Sequence, residues 1–82
     1  MRWTMCTFVK DLATRQIVWH RVWDWDSAVT TGEARVAHEE REANELARTW
    51  PRERFDLFVQ GFDSAESLYG AWPELRPQQS AR

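Results

Sequence analysis

The chain has 82 residues, of which 43% are hydrophobic and 29% charged, and its formal net charge is −2. These values fit one small folded domain and exclude an intrinsically disordered chain. Because its 11 basic residues, of which one is lysine, are outnumbered by 13 acidic ones, it lacks the dense basic stripe of a typical nucleic-acid-binding protein. With one cysteine, no signal-peptide pattern and no membrane-spanning apolar run, we expect a cytoplasmic protein without a disulfide.

The first two predicted elements are strands joined by a tight loop. Arg2–Lys10 is rich in β-branched and aromatic residues, which favour strands. A loop over Leu12–Arg15 places Asp11 opposite Gln16 and thereby fixes the predicted register. That register pairs three residues of the first strand with three of the second: Phe8 with Trp19, Cys6 with Arg21, and Thr4 with Trp23.

The second strand carries the most informative pattern in the sequence. In the run Ile17–Trp25, residues Trp19, Trp23 and Trp25 lie on one side, because strand side chains alternate. Each tryptophan has roughly 150–250 Å² of surface that can be buried, so another element or a partner must cover this side. The opposite side is predicted to carry Trp3, Met5, Thr7, Val9, Val18, His20 and Val22.

A long helix is expected next. Thr30 and Glu33 have the spacing of a capping box, Asp26 is a competing cap, and Pro51 ends the helix after Thr49. The apolar stripe of this helix is narrow and rich in alanine, so the helix cannot cover both faces of the sheet. The stripe consists of Val36, Ala43, Leu46, Ala47 and Trp50.

A third strand, Arg54–Phe62, and a short helix, Ser64–Trp72, complete a predicted β-β-α-β-α order. We therefore predict a single α+β domain over residues 1–73. It consists of a small three-stranded mixed sheet, one long helix packed on one face and a short C-terminal helix. Residues 74–82 are expected to form a flexible tail. The third strand should divide its apolar side chains between two sides, with Phe55, Leu57 and Val59 on one and Phe58 and Phe62 on the other.

No motif for catalysis, metal binding or a cofactor is apparent. Cys6 and His20 suggest a nucleophile and a base, but the predicted register places them on opposite faces and no third group orients them. Glu39 interrupts the apolar stripe of the helix. It would be either a buried carboxylate facing Arg21 or His20, or a side chain at the edge of the stripe that pairs with Arg35.

The sequence favours a non-enzymatic module that binds another protein. Tryptophan and arginine dominate binding interfaces, and an apolar sheet face left uncovered favours self-association as a homodimer. Small chains without motifs are common among phage and mobile-element proteins, so an inhibitor or regulator of host machinery is the predicted role. The predicted contacts lie on the aromatic sheet face and on the acidic helix: Trp19, Arg21, Trp23, Trp25, Phe8, Arg15, Glu40 and Glu42.

Two other functions remain open. Aromatic side chains on a sheet can stack nucleobases, which would give a platform for single-stranded nucleic acid. The acidic helix argues against nucleic acid as a partner. His38 is expected to be solvated on the outer face of this helix. The nucleic-acid platform would consist of Phe8, Trp19, Trp23 and Arg21.

The other alternative is a small enzyme that uses Cys6 and His20.

Overall fold

A computed structural model describes residues 1–76 of the chain. Within this range the elements are β1 (Arg2–Asp11), β2 (Ile17–Asp26), α1 (Gly32–Thr49), β3 (Phe55–Phe62), α2 (Ala65–Ala71) and a one-turn 3-10 helix (Pro73–Leu75). The predicted α+β class, with a three-stranded sheet, one long helix and a short C-terminal helix, is confirmed. The fold continues beyond residue 73, because Leu75 packs against the core. Residues 77–82 of the predicted tail lie outside the described residues.

The sheet has the order β2-β1-β3 and is antiparallel throughout, so the prediction of a mixed sheet is wrong. Helix α1 returns the chain from the end of β2 to the opposite end of the sheet, and β2 and β3 consequently run in the same direction. The central strand β1 lies between them. Each hydrogen-bonded pair of strands is therefore antiparallel.

The β1–β2 hairpin contains a β-bulge that the sequence analysis did not predict. Lys10 pairs with Ile17, whereas Val9 pairs with Trp19, so Val18 is an extra residue in β2. Because side chains alternate along a strand, a shift of one residue exchanges its two faces. The bulge therefore decides which side of the sheet each β2 side chain occupies.

The predicted pairs Phe8–Trp19, Cys6–Arg21 and Thr4–Trp23 are wrong. The observed pairs are Phe8–His20, Thr7–Arg21, Cys6–Val22 and Met5–Trp23. We call the two sides of the sheet the α1 face and the α2 face, after the helices that pack on them. The α1 face carries Trp3, Met5, Thr7 and Val9 of β1 together with Trp19, Arg21, Trp23 and Trp25 of β2. The α2 face carries Thr4, Cys6 and Phe8 together with His20 and Val22.

The fully buried core cluster lies between the sheet and the short helix α2. Cys6, Phe8 and Leu68 have no exposed surface. The Phe8 ring stacks on Phe58 with centroids 4.8 Å apart and contacts Trp72 at 4.9 Å. The sides predicted for β3 are confirmed, because Phe58 pairs with Phe8 and is therefore on the α2 face. The two-turn helix α2 thus completes the core on the α2 face, while Met5 and Val9 form the buried part of the α1 face.

Side-chain caps set the start of α1. Thr31, rather than Thr30 or Asp26, is the N-cap, and its hydroxyl accepts a hydrogen bond from the Ala34 N–H at 3.1 Å. Asp26 ends β2 and accepts from the Ala28 N–H at 2.9 Å. This hydrogen bond, with help from the N-terminal amino group, lowers the pKa of Asp26. The carboxylate therefore shapes the turn that leads into the helix.

Helix α1 packs on a face of the sheet whose β1 residues Met5, Thr7 and Val9 are at most 3% exposed. Across Gly32–Thr49 no residue is buried. Ala43, Leu46 and Ala47 of the predicted apolar stripe are half-buried, whereas Val36 is 42% exposed. Among the strands, β3 lies closest to the backbone of α1. The helix therefore leaves the side of the sheet near β2 only partly covered.

Candidate partner-binding site

A polar network connects α1 to the sheet. Thr7, which is 3% exposed, is the buried polar residue among residues 1–76. Its hydroxyl donates to Oε1 of Glu42 at 2.6 Å and accepts from Nε1 of Trp23 at 3.0 Å. Arg21 forms an ion pair with the other carboxylate oxygen of Glu42. One helix carboxylate therefore joins side chains from β1 and β2.

His38 belongs to the same side of the helix. Its ring meets the ring of Trp23 edge to face, with centroids 5.0 Å apart and an interplanar angle of 67°. Its Nε2 lies 3.5 Å from a guanidinium nitrogen of Arg21. The prediction that His38 is solvated on the outer face is therefore wrong. Residues four apart on a helix share a face, so the side chain of His38 points toward the sheet, as that of Glu42 does.

One turn earlier, Arg35 makes a second connection between α1 and β2. Its guanidinium carbon lies 4.7 Å from the centroid of the Trp25 ring, a cation–π geometry. Arg35 also pairs with Glu39 at 3.2 Å. The local alternative predicted for Glu39 is thus confirmed. The helix carboxylate that faces Arg21 is Glu42.

An open cleft remains between α1 and β2, with a volume of about 440 Å³. We call it the Trp–Arg cleft. Both of its indoles are half-buried, so each keeps part of its ring surface exposed. Three arginines line it against a single aspartate, Asp24, and Arg41 makes no ion pair within residues 1–76. The side chains that define the cleft are Arg21, Trp23, Trp25, Arg35, His38 and Arg41.

The structure brings three of the predicted contact residues together in this cleft. Arg21, Trp23 and Trp25 line it, and Trp19 lies on the same face of the sheet, further along β2. Phe8 is on the other face and is fully buried. It cannot contact a partner of the folded protein, and the predicted nucleic-acid platform is not assembled. The bulge is the physical reason, because it places Phe8 and the tryptophans on opposite faces.

The remaining predicted contacts lie apart from the cleft or are already bonded. Arg15 occupies the hairpin turn, in the left-handed backbone region with φ of 64°, next to Trp72 and Leu75. Glu40 is exposed on α1, on the side near β3. Glu42 is bound to Thr7 and Arg21 and contributes to the structure of the site.

Three cleft residues were missed by the sequence analysis: Arg35, His38 and Arg41. Their spacing of three along the helix was a usable signal, since such residues share one face. His38 was instead predicted to be solvated, Arg35 to pair locally with Glu39, and Arg41 was given no role. Long side chains of a helix that lies on a sheet can instead reach the neighbouring strands.

The thiol at Cys6 is unsuited to catalysis. The bulge does place Cys6 and His20 on the same face, but Cys6 has no exposed surface. Burial raises the pKa of the thiol to about 11, so the nucleophilic thiolate is scarce at neutral pH. Among residues 1–76, no group of three histidine, cysteine or acidic side chains could hold a metal ion.

Comparison with protein-family models, with curated proteins and with solved structures finds no match to this chain. No helix within residues 1–76 is both long and apolar enough to cross a membrane. The function is therefore inferred from the geometry of the Trp–Arg cleft.

Proposed function

We propose that the protein is a non-enzymatic interaction module that binds a partner protein through the Trp–Arg cleft. The observation that supports this proposal is the joint presence of two partly exposed indoles and three arginines in one open cleft. Tryptophan and arginine are the residue types most enriched at binding hot spots. The rings are also held in place before binding, because Trp23 bonds Thr7 and Trp25 bonds the Thr30 carbonyl at 3.1 Å. Such preorganisation lowers the entropic cost of association.

The chemistry of the cleft selects an acidic segment of the partner that carries an apolar anchor. Arg41 is exposed and unpaired within residues 1–76, and the Arg21 side chain is 42% exposed beside Glu42. These guanidinium groups can donate paired hydrogen bonds to a carboxylate. The partly exposed faces of Trp23 and Trp25 provide an apolar surface beside them. A short segment can use both.

The surroundings of the cleft favour a protein over a nucleic acid. An adjoining depression on α1 is lined by Glu42 and Glu45 together with Arg41, and Asp24 lines the cleft itself. A nucleic acid longer than a few nucleotides would bring phosphates close to these carboxylates. The net charge of −2 adds to the repulsion. A peptide segment can be confined to the cationic part of the cleft.

We place this module in the cytoplasm, because its single cysteine is a buried free thiol and no disulfide supports the fold. By covering a surface that its target needs, a module of this size would act as an inhibitor, the role predicted from the sequence.

The test compares two charge reversals on α1 in the full chain. Arg41→Glu changes a residue of the cleft, and Arg48→Glu changes an exposed arginine of the same helix outside the cleft lining. Proteins captured from the producing cells by the tagged wild type are purified, and their affinities for the three chains are measured by calorimetry. We expect a partner whose dissociation constant rises about tenfold or more with Arg41→Glu and changes little with Arg48→Glu. Circular dichroism checks that both variants keep the fold.

The proposal fails if no captured protein distinguishes Arg41→Glu from Arg48→Glu. It also fails if single-stranded oligonucleotides bind with a steep salt dependence that Arg41→Glu abolishes. In that case the cleft is a nucleic-acid site.

A further inference from the structure

Strand β2 presents an unpaired edge within the described sheet. The carbonyl of Met1 accepts from the Ser27 N–H at 2.9 Å, whereas Leu12 N–H donates to the carbonyl of Arg54 at 3.0 Å. Odd-numbered residues of β1 therefore bond β2, and even-numbered ones bond β3. In an antiparallel pair the hydrogen-bonded positions alternate, so the β2 residues opposite even-numbered β1 positions direct N–H and C=O outward. The central residues of this free edge are His20, Val22 and Asp24.

The same strand exposes apolar side chains. Val18 is 42% exposed and Val22 is 38% exposed. Helix α2 packs on β1 and β3, and its core contacts, such as Phe8 and Phe58, lie on those strands. A long edge strand with exposed valines is a template for pairing with another chain.

We propose that β2 pairs antiparallel with β2 of a second copy, with the two-fold axis passing through Val22. A two-fold axis that relates two antiparallel edges is normal to the sheet, so both copies keep their α1 faces on the same side. Two residues that lie directly opposite each other must then be on the same face of the sheet. Because faces alternate along the strand, both residues have odd numbers or both have even numbers. With Val22 opposite itself, the further pairs are Arg21 with Trp23, His20 with Asp24, and Trp19 with Trp25 of the second copy.

The sequence around Val22 is complementary to itself in this register. Residues Trp19–Trp25 place a histidine opposite an aspartate, an arginine opposite a tryptophan and a tryptophan opposite a tryptophan. Moving the axis to Arg21 would set this arginine against itself. Moving it to Trp23 would set Val22 against the Asp24 carboxylate. The complementarity therefore selects Val22 as the centre.

Pairing would also join the two Trp–Arg clefts, because Arg21 of one copy becomes the neighbour of Trp23 of the other. The inference does not rest on the proposed function, since the backbone edge and the complementary run exist whether or not a partner binds. A dimer built this way would extend the sheet to six strands. It would also shield Val22 from solvent.

Cysteine cross-linking tests the register with two matched valines. Position 22 lies at the two-fold axis as a hydrogen-bonded pair, where the Cα atoms are about 5.5 Å apart, within the range for a disulfide. Position 18 would be separated from its symmetry mate by the rise of eight residues, roughly 26 Å. Cys6 does not interfere, because it has no exposed surface. Under oxidising glutathione we expect Val22→Cys to form covalent dimers at least about tenfold faster than Val18→Cys.

A proline variant tests the edge itself. The N–H of Val22 points away from β1, so Val22→Pro should keep the monomer fold while it removes two hydrogen bonds of the dimer. We expect the wild type to sediment as a dimer and Val22→Pro as a monomer with an unchanged circular dichroism spectrum. A monomeric wild type at high micromolar concentration, or equal cross-linking at positions 18 and 22, overturns the proposal. Arg41→Glu should leave the dimer intact, which separates failure of the dimer from failure of the cleft.

Discussion

The substitution Thr7→Val tests whether the polar network holds α1 on the sheet. Valine has nearly the same shape as threonine, so the change removes a hydroxyl and leaves little cavity. The hydroxyl makes two hydrogen bonds, a charge-assisted one to Glu42 at 2.6 Å and one from Trp23 at 3.0 Å. Removing the hydroxyl affects Glu42 and Trp23 together. The variant therefore measures how much these contacts between β1, β2 and α1 stabilise the fold.

The expected loss of stability follows from these contacts. A hydrogen bond to a charged group contributes about 1.5–3 kcal/mol and a neutral one about 1 kcal/mol. Glu42 retains Arg21, and the half-buried Trp23 can find water, so the loss should be about 2–3 kcal/mol. The free energy of unfolding of a small domain is only about 5–15 kcal/mol. The expected loss is thus a measurable fraction of the total stability.

Urea unfolding, followed by tryptophan fluorescence and circular dichroism, gives the free energy of unfolding. Thr4→Val is the matched control, because Thr4 is a half-buried threonine of the same strand that makes no side-chain hydrogen bond within residues 1–76. It should change stability by less than about 0.5 kcal/mol. A double-mutant cycle with Glu42→Gln should give a coupling energy of about 1–2 kcal/mol. If Thr7→Val costs no more than Thr4→Val, or if the coupling is zero, the network does not hold α1.

Three further predictions concern the core, the thiol and the hairpin turn. Leu68→Ala should cost about 2–5 kcal/mol in urea unfolding, because Leu68 has no exposed surface. Leu46→Ala, on the half-buried side of α1, should cost less than about 2 kcal/mol, and the opposite order would contradict the packing described for the two helices. The pKa of Cys6 is raised from 9.0 to about 11, so between these values the native state keeps a proton that the unfolded state loses. Stability should therefore fall as pH rises from 9 to 11, by up to about 1.4 kcal/mol per pH unit. Cys6→Ala should lack this component, and identical pH profiles of the two chains would refute the shift. Arg15 adopts φ of 64°, which glycine tolerates without strain, so Arg15→Gly should raise the melting temperature and stabilise by up to about 1 kcal/mol. A lower melting temperature would show that the Arg15 side chain matters more than the backbone.

Local sequence determined the elements and their order. The tight turn after Asp11, the break at Pro51 and the serine before α2 mark boundaries that the structure reproduces within one or two residues. The period-two pattern of β3 also places Phe55 and Phe58 on opposite sides, as observed. These signals act over a few residues, through backbone restrictions and side-chain alternation. They need no knowledge of distant contacts.

The candidate site could be predicted only in part. Arg21, Trp23 and Trp25 were recognised from the strand pattern, while Arg35, His38 and Arg41 of α1 were not. A helical wheel shows which residues share a face. It cannot show how far a helix stands from the sheet, and that distance determines whether long polar side chains reach it.

By itself, the sequence determined that three tryptophans of β2 share one side of a strand, because alternation is a property of the extended backbone. Only the tertiary structure decided which side that is. The extra residue at Val18 exists through the pairing of β2 with β1, and a bulge depends on how two strands and their packed helices fit together. This extra residue places the tryptophans on the face of α1 and its arginines, whereas Phe8 lies on the other face, in the core beneath α2.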